Sequence, residues 1–309
     1  MKLFRRQWIA GALACASLLG AGFAIAQGIK DTKHNLGSLG TGANHVTGTA
    51  NPTDPRAATG TEEICVFCHT PHGADTSAAA PLWNKRLPAG TGYQVYSTAN
   101  SSTIDGEVIT TVGSVSITCL SCHDGTQAMD NIINAPGSGG FDVTGGGAAG
   151  LGYTWTTTGR VDADGRLSPG GIANLGTDLR NDHPIGIEYC GGGLSNTAPN
   201  PAAAGPAPVA AGACKDADFN QPRSTTINGQ GVWWVDTGGA AGTGFRARND
   251  MILYTRAFTA GAGPSVECAS CHDPHVGAGD AGPNSTVAGP TFLRVANTNS
   301  AVCLACHNK

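Results

Sequence analysis

The chain is short of charge: of its 309 residues only 13% are Asp, Glu, Lys or Arg, and the formal net charge is −4. A nucleic-acid partner would call for a basic patch, and nothing in the balance or spread of Lys and Arg supplies one. Aromatic residues make up 6%, there are three methionines, and Ala is heavily represented in the 40% apolar fraction. Glycine, by contrast, reaches 46. Such a chain loses much backbone entropy on folding and has few large side chains to bury, so an aliphatic core alone cannot organise it. Long helical apolar periodicity is missing too, because Pro and Gly punctuate nearly every window.

Lys2, Arg5 and Arg6 precede an apolar run over residues 8–26 that ends Ala24-Ile25-Ala26, the pattern of a signal-peptide cleavage site. The run is at the short end for a spanning helix and is built from small residues. A cleaved signal peptide over 1–26 is therefore expected, with no membrane span after cleavage. Acylation of Cys15 is the minor alternative, since Ala12 rather than Leu stands three residues before it. Loss of Lys2, Arg5 and Arg6 with the signal takes the formal charge from −4 to −7.

Of the eleven cysteines, Cys15 falls in the signal and eight others form four copies of Cys-x-x-Cys-His. These are Cys65-Val-Phe-Cys68-His69, Cys119-Leu-Ser-Cys122-His123, Cys268-Ala-Ser-Cys271-His272 and Cys303-Leu-Ala-Cys306-His307. Two thiols three positions apart reach the two vinyl groups of one porphyrin, and the next residue lies under the iron as its axial imidazole. Zinc would not require a His directly after every second Cys. Four such motifs in an exported chain predict four covalently bound haem c groups, which would also serve as the missing apolar core. Cys190 and Cys214 match no motif and are expected to form a disulfide, because paired thiols outside the cytoplasm oxidise.

Nine histidines less the four in motifs leave His34, His45, His72, His183 and His275, enough to give every iron a second imidazole. Met129 and Met251 are not needed as ligands. Six-coordinate irons leave no vacancy for substrate, so the expectation is electron transfer at low potential and no catalysis. No motif carries Lys in place of His, which counts against a multihaem reductase.

In Cys68-His69-Thr70-Pro71-His72 and Cys271-His272-Asp273-Pro274-His275 the second His follows the first by three residues. Axial imidazoles on one iron put their Cα atoms about 12–13 Å apart, taking roughly 2 Å per metal–nitrogen bond. Three residues span at most about 10–11 Å. His72 therefore cannot share an iron with His69, nor His275 with His272. The expected pairings are His72 with the His123 iron, His275 with the His307 iron, His34 with the His69 iron and His183 with the His272 iron. His45 is left over, either as an unligated side chain or as a ligand to an iron in a neighbouring subunit.

The motif positions define an internal repeat. The expected organisation is a signal over 1–26, a paired-haem module over 27–125, a Gly-rich middle segment over 126–262 and a second paired-haem module over 263–309. The middle segment holds Gly145-Gly146-Gly147 and Gly191-Gly192-Gly193, with β-favouring stretches at 153–158, 232–235 and 251–256. Asp162-Ala163-Asp164-Gly165 lacks the remaining ligands of a calcium loop and reads as a turn. The fold class expected is a mostly irregular, loop-rich multihaem cytochrome c organised around four haems, with short helices at the motifs and minor β-strands.

The two modules resemble the paired Cys-x-x-Cys-His unit of multihaem c-type cytochromes. The likeness is carried by residues 65–72 with Pro81-Leu82-Trp83-Asn84 and the second motif, and by residues 268–275 with Phe292-Leu293-Arg294 and the fourth motif. The segments around Lys33-His34-Asn35 and Asp182-His183-Pro184 are similar to distal-ligand stretches of that family. Four haems behind a signal peptide resemble the OmcE-type outer-surface tetrahaem cytochromes of metal-reducing bacteria. That resemblance implies an extracellular electron conduit whose subunits associate into filaments, a His of one completing a haem of the next. It implies a location at the outer cell surface or beyond, with a soluble periplasmic shuttle as the alternative, and partners that are other redox proteins or extracellular electron acceptors.

Overall fold

A computed structural model describes residues 28–40, 44–48, 60–138, 150–156, 160–194, 207–208, 213–227, 230–237, 246–275 and 292–309. The expected signal peptide with Cys15, and the Gly145-Gly146-Gly147 cluster, lie outside them. Most of the described chain is loop and turn. Three α-helices stand out, each on a motif: α1 (Ser114–His123), α2 (Cys268–Cys271) and α3 (Ala301–Leu304). The first motif forms only a 3-10 turn over Cys65–Phe67.

Six strands make one antiparallel sheet: β1 (Ile187–Glu188), β2 (Ala207–Pro208), β3 (Arg223–Ile227), β4 (Gln230–Val235), β5 (Met251–Phe258) and β6 (Gly261–Val266), in the order β1-β6-β5-β4-β3-β2. Successive strand residues face opposite sides of a sheet. Trp233 and Trp234, adjacent in β4, are both fully buried, so the sheet is covered on both faces there. Of the stretch expected as a strand at 153–158, residues 153–156 are described and form no strand. Trp155 makes an isolated antiparallel bridge to Val46, flanked by hydrogen bonds from Thr47 N to Thr154 O at 2.7 Å and from Thr156 N to His45 O at 2.9 Å. Residues 163–165 turn between Val161 and Leu167, which pair across the loop.

The apolar core is divided among small clusters, and each borders a motif. Val46, Val66, Phe67, Ile132 and Tyr153 pack beside Cys68, and Met129, Val161 and Leu167 beside Cys122. On the inner face of the sheet Tyr189, Trp233, Val235, Met251 and Leu253 form the largest cluster, with Cys271, Val302, Ala305 and Cys306 against it. The middle segment is thus a platform under the third and fourth motifs. Cys190 and Cys214 join in a disulfide within this cluster, with Cα atoms 5.4 Å apart.

Candidate haem-binding site

The repeat seen in the sequence is a repeat in the backbone. After the first motif, Thr70 N donates to Leu82 O and Asn84 N to Cys68 O, both at 2.8 Å. After the third, Asp273 N donates to Phe292 O and Arg294 N to Cys271 O, again both at 2.8 Å. His69 bridges to Trp83 and His272 to Leu293 in the same register. Leu82 (φ 55°) and Phe292 (φ 54°) both hold the left-handed conformation that non-glycine residues rarely adopt. A matching strained residue in each module ties the return segment under its motif. Asn84 Nδ2 donates to Val66 O at 2.6 Å and Arg294 Nε to the equivalent Ala269 O at 3.1 Å, closing both loops.

The four motifs come together as one group. Ser116, on α1, donates its hydroxyl to the Glu267 carboxylate (2.5 Å) and accepts from Cys268 N (3.0 Å), which locks the helix of the second motif to the helix of the third. The Cys119 and Cys268 thiols share a hydrogen bond, which pushes Cys119 up. Cys68 feels Cys122, and Cys271 feels Cys303, closely enough to shift their titration. The fourth motif is held by residues 219–220: Asn220 N donates to Cys306 O at 2.8 Å, and the Phe219 ring lies 4.5 Å from that of His307.

None of the eight motif cysteines is paired in a disulfide. Burial, with help from Cys122, pushes Cys68 up to about 12, and burial with Cys271 does the same to Cys306. Cys122 and Cys271 are also raised by burial. Among the described residues no three His, Cys, Asp or Glu side chains converge as a bare metal ion would need.

Histidine placement is where structure and sequence expectation part. The His34 ring faces that of His123 with centroids 6.1 Å apart, and His69 faces His275, also at 6.1 Å. Two imidazoles on one iron require about 6 Å, from roughly 2 Å per metal–nitrogen bond and about 1 Å from each nitrogen to its ring centre. His34 therefore stands opposite His123 and not His69, and His275 opposite His69 and not His307. His183, expected beside His272, lies instead near His307 and depresses it, after burial as the larger cause. The physical reason is that the residue 272–275 peptide reaches back to the first motif. His34 follows it, with Nδ1 3.3 Å from Pro274 O and its ring stacked on Phe292 at 4.1 Å. His72 is exposed and is not among the rings facing His123, and His45 is half-buried beside Val46.

The ring nitrogens are sorted in a common way. Nδ1 of His69 donates to Pro81 O (2.8 Å), of His123 to Ala173 O (2.7 Å) and of His183 to Pro184 O (2.9 Å). His275 Nδ1 lies 3.4 Å from the Asp273 carboxylate. Anchoring Nδ1–H on an acceptor leaves Nε2 as the lone-pair nitrogen, the arrangement in which imidazole binds a metal. Burial, followed by the nearby His123, pushes His34 down to about 4, and burial likewise lowers His123, so both are neutral and able to donate a lone pair.

No known protein family and no curated protein matches this chain. The donor set is therefore read from its own chemistry: paired thiols beside an imidazole, and a second imidazole at iron-spanning distance, fit haem c.

Two contributors escaped the sequence reading. Ser116 and Glu267, 151 residues apart, form the clasp between the second and third motifs, and Lys85 is buried beside the first two. A Glu directly before a motif was the visible trace of the clasp; Lys85 left none.

Proposed function

We propose that the chain is an exported tetrahaem c-type cytochrome that carries electrons, as a subunit of an extracellular conduit. The observation that carries this reading is the pair of imidazole couples, His34 with His123 and His69 with His275, each with centroids 6.1 Å apart. Haem c, when bound, supplies reversible one-electron iron chemistry.

This chain's residues hold, orient and seal. Cys65, Cys68, Cys119, Cys122, Cys268, Cys271, Cys303 and Cys306 are the thioether sites. His69, His123, His272 and His307 would be the proximal ligands, with Nδ1 of the first two fixed by backbone carbonyls. His275, His34 and His183 would supply distal imidazoles to the irons on His69, His123 and His307, with His72 and His45 left as candidates for the iron on His272. Irons held by two histidines each would have no vacancy for substrate and would favour low potential. The close packing of the motifs, through the Cys119–Cys268 and Cys68–Cys122 neighbours, supports a continuous path for electrons. Among the described residues no helix is long and apolar enough to cross a membrane.

The test is the mature protein purified from a host that attaches haem. Its mass should exceed that of the polypeptide by four haems, and its resting spectrum should be low-spin throughout. A bare polypeptide mass, or a high-spin signal at rest, would remove the reading. Electron microscopy then separates filaments, which the conduit requires, from discrete monomers, which would make the chain a shuttle.

A further inference from the structure

A helix of a single turn leaves its last carbonyls without helical donors, because no further turn follows to supply N–H groups. The motifs on α2 and α3 and the 3-10 turn of the first motif are in that position, and each is completed from outside. At the first motif Asn84 puts its backbone N on Cys68 O and its side chain on Val66 O, and at the third Arg294 does the same to Cys271 O and Ala269 O. Both residues lie in return segments of their own modules. The fourth motif has the same clip in the same register, but its clip comes from the middle segment. Asn220 N donates to Cys306 O at 2.8 Å, and Asn220 Nδ2 donates to Leu304 O at 2.9 Å and to Ala305 O at 3.0 Å.

This clip reaches the imidazole. Asn308 N donates to Asp218 O at 2.9 Å and Asn308 Nδ2 to Ala217 O at 3.0 Å, so the residues on both sides of His307 are bonded to 217–220. Phe219 bridges to His307 and sets its ring against it. Tyr189, in the cluster on the sheet, holds the clip from behind by donating its hydroxyl to Asn220 O at 2.8 Å. The second motif lies on the longer α1, where Asp124 N and Gly125 N complete Leu120 O and Cys122 O. There the middle segment grips His123 itself: Ala173 O accepts from Nδ1–H and Leu175 N donates to His123 O, both at 2.7 Å. Asn174, between them, pins that loop. Its Nδ2 donates to Leu167 O at 2.8 Å, its Oδ1 accepts from Gly176 N at 3.0 Å, and its amide packs on Gly125, where a Cβ would collide with it.

We propose that the middle segment is the positioning scaffold for the second haem of each pair, with Asn174 and Asn220 as the positioning residues that orient the imidazoles of His123 and His307. The inference rests on the haem reading above and gives the segment without motifs a role in it. A fixed acceptor on Nδ1–H sets the plane and the basicity of a metal-bound imidazole, and through them the potential of its iron. Loosening residues 173–175 or 217–220 therefore changes one haem, while the haems clipped by Asn84 and Arg294 keep their setting.

Asn174→Ala and Asn220→Ala, with the near-isosteric Asn174→Asp and Asn220→Asp as milder variants, test this on the holoprotein. Spectroelectrochemical titration and low-spin electron paramagnetic resonance read the individual haems. Each position should shift one of the four signals, and the two positions should shift different ones. Asn174→Ala should raise the potential of its couple by about tenfold in the reduction equilibrium, 59 mV for a one-electron couple, because a loosened Ala173 O leaves the His123 ring a weaker donor to ferric iron. Melting curves identify a merely structural role: a lower melting temperature with all four signals in place would overturn the proposal, as would one signal shared by both positions or four that move together. If no variant accumulates, native-state hydrogen exchange of the wild type decides. The amides of Leu175 and Asn220 should exchange slowly, and fast exchange at either would overturn the proposal while leaving the haem reading intact. A protein without haem would instead sink the reading on which it rests.

Discussion

At the scale of single residues, the imidazole couples make a direct prediction. His34→Ala should convert one of the four irons, that on His123, from low-spin to high-spin, visible in the resting absorption and electron paramagnetic resonance spectra. The other three should stay low-spin, and added imidazole should reverse the change. A spectrum that stays wholly low-spin would separate His34 from that iron. Asp273 supplies a pH test. Burial pushes its carboxyl up, but hydrogen bonds from the His275 ring and backbone, with the Arg294 charge, outweigh this and hold it at about 2. A folded value below the unfolded one of about 3.9 adds stability that is present above that pH and lost as the pH falls toward 2. Asp273→Asn should therefore melt below the wild type near neutrality, and the gap should close in acid. Melting curves at both pH values would show it.

At the scale of elements, the clasp between α1 and α2 is the joint that aligns the second and third motifs. Ser116 serves two partners, the Glu267 carboxylate and the Cys268 amide, and Glu267 also takes Arg256 Nη1 at 2.9 Å. Ser116→Ala leaves a buried acceptor and a donor short of a partner, a loss of about 1–3 kcal/mol. Denaturant unfolding of the variant measures it, and an unchanged midpoint would show that the clasp carries no stability. The module repeat was legible from motif spacing and from the Pro81-Leu82-Trp83-Asn84 and Phe292-Leu293-Arg294 stretches. Its cause was not: the left-handed Leu82 and Phe292 follow from tertiary hydrogen bonding that no propensity of Leu or Phe foretells.

At the scale of the whole molecule, the β-sheet is the frame on which the C-terminal motifs rest. Its inner face is closed by the Cys190–Cys214 link, which spans a sequence separation of 24. In the chain-entropy model a loop of this size contributes roughly 3–4 kcal/mol. The double substitution of both cysteines by Ser should lower the melting temperature clearly while leaving the haem content at four. Loss of haem from the third and fourth motifs alone would show that the platform is needed for attachment as well as stability. The modules are also more interlocked than the motif order suggests. His275 of the second faces His69 of the first, and His34 at the N-terminal edge rests on Phe292 and Pro274.

The sequence by itself determined the four Cys-x-x-Cys-His motifs, the inventory of spare histidines and the two unmatched cysteines, because these depend on local spacing and on counting. It also excluded a shared iron within each His-x-x-His peptide, since chain length bounds reach. Which spare imidazole faces which motif was decided only by the tertiary structure. Facing rings across a metal-sized gap is a long-range relation between segments up to 206 positions apart, as for His69 and His275, and it is set by the return of the second module onto the first. The sheet under the C-terminal motifs and the buried Lys85 belong to the same class, for both exist only through contacts that folding creates.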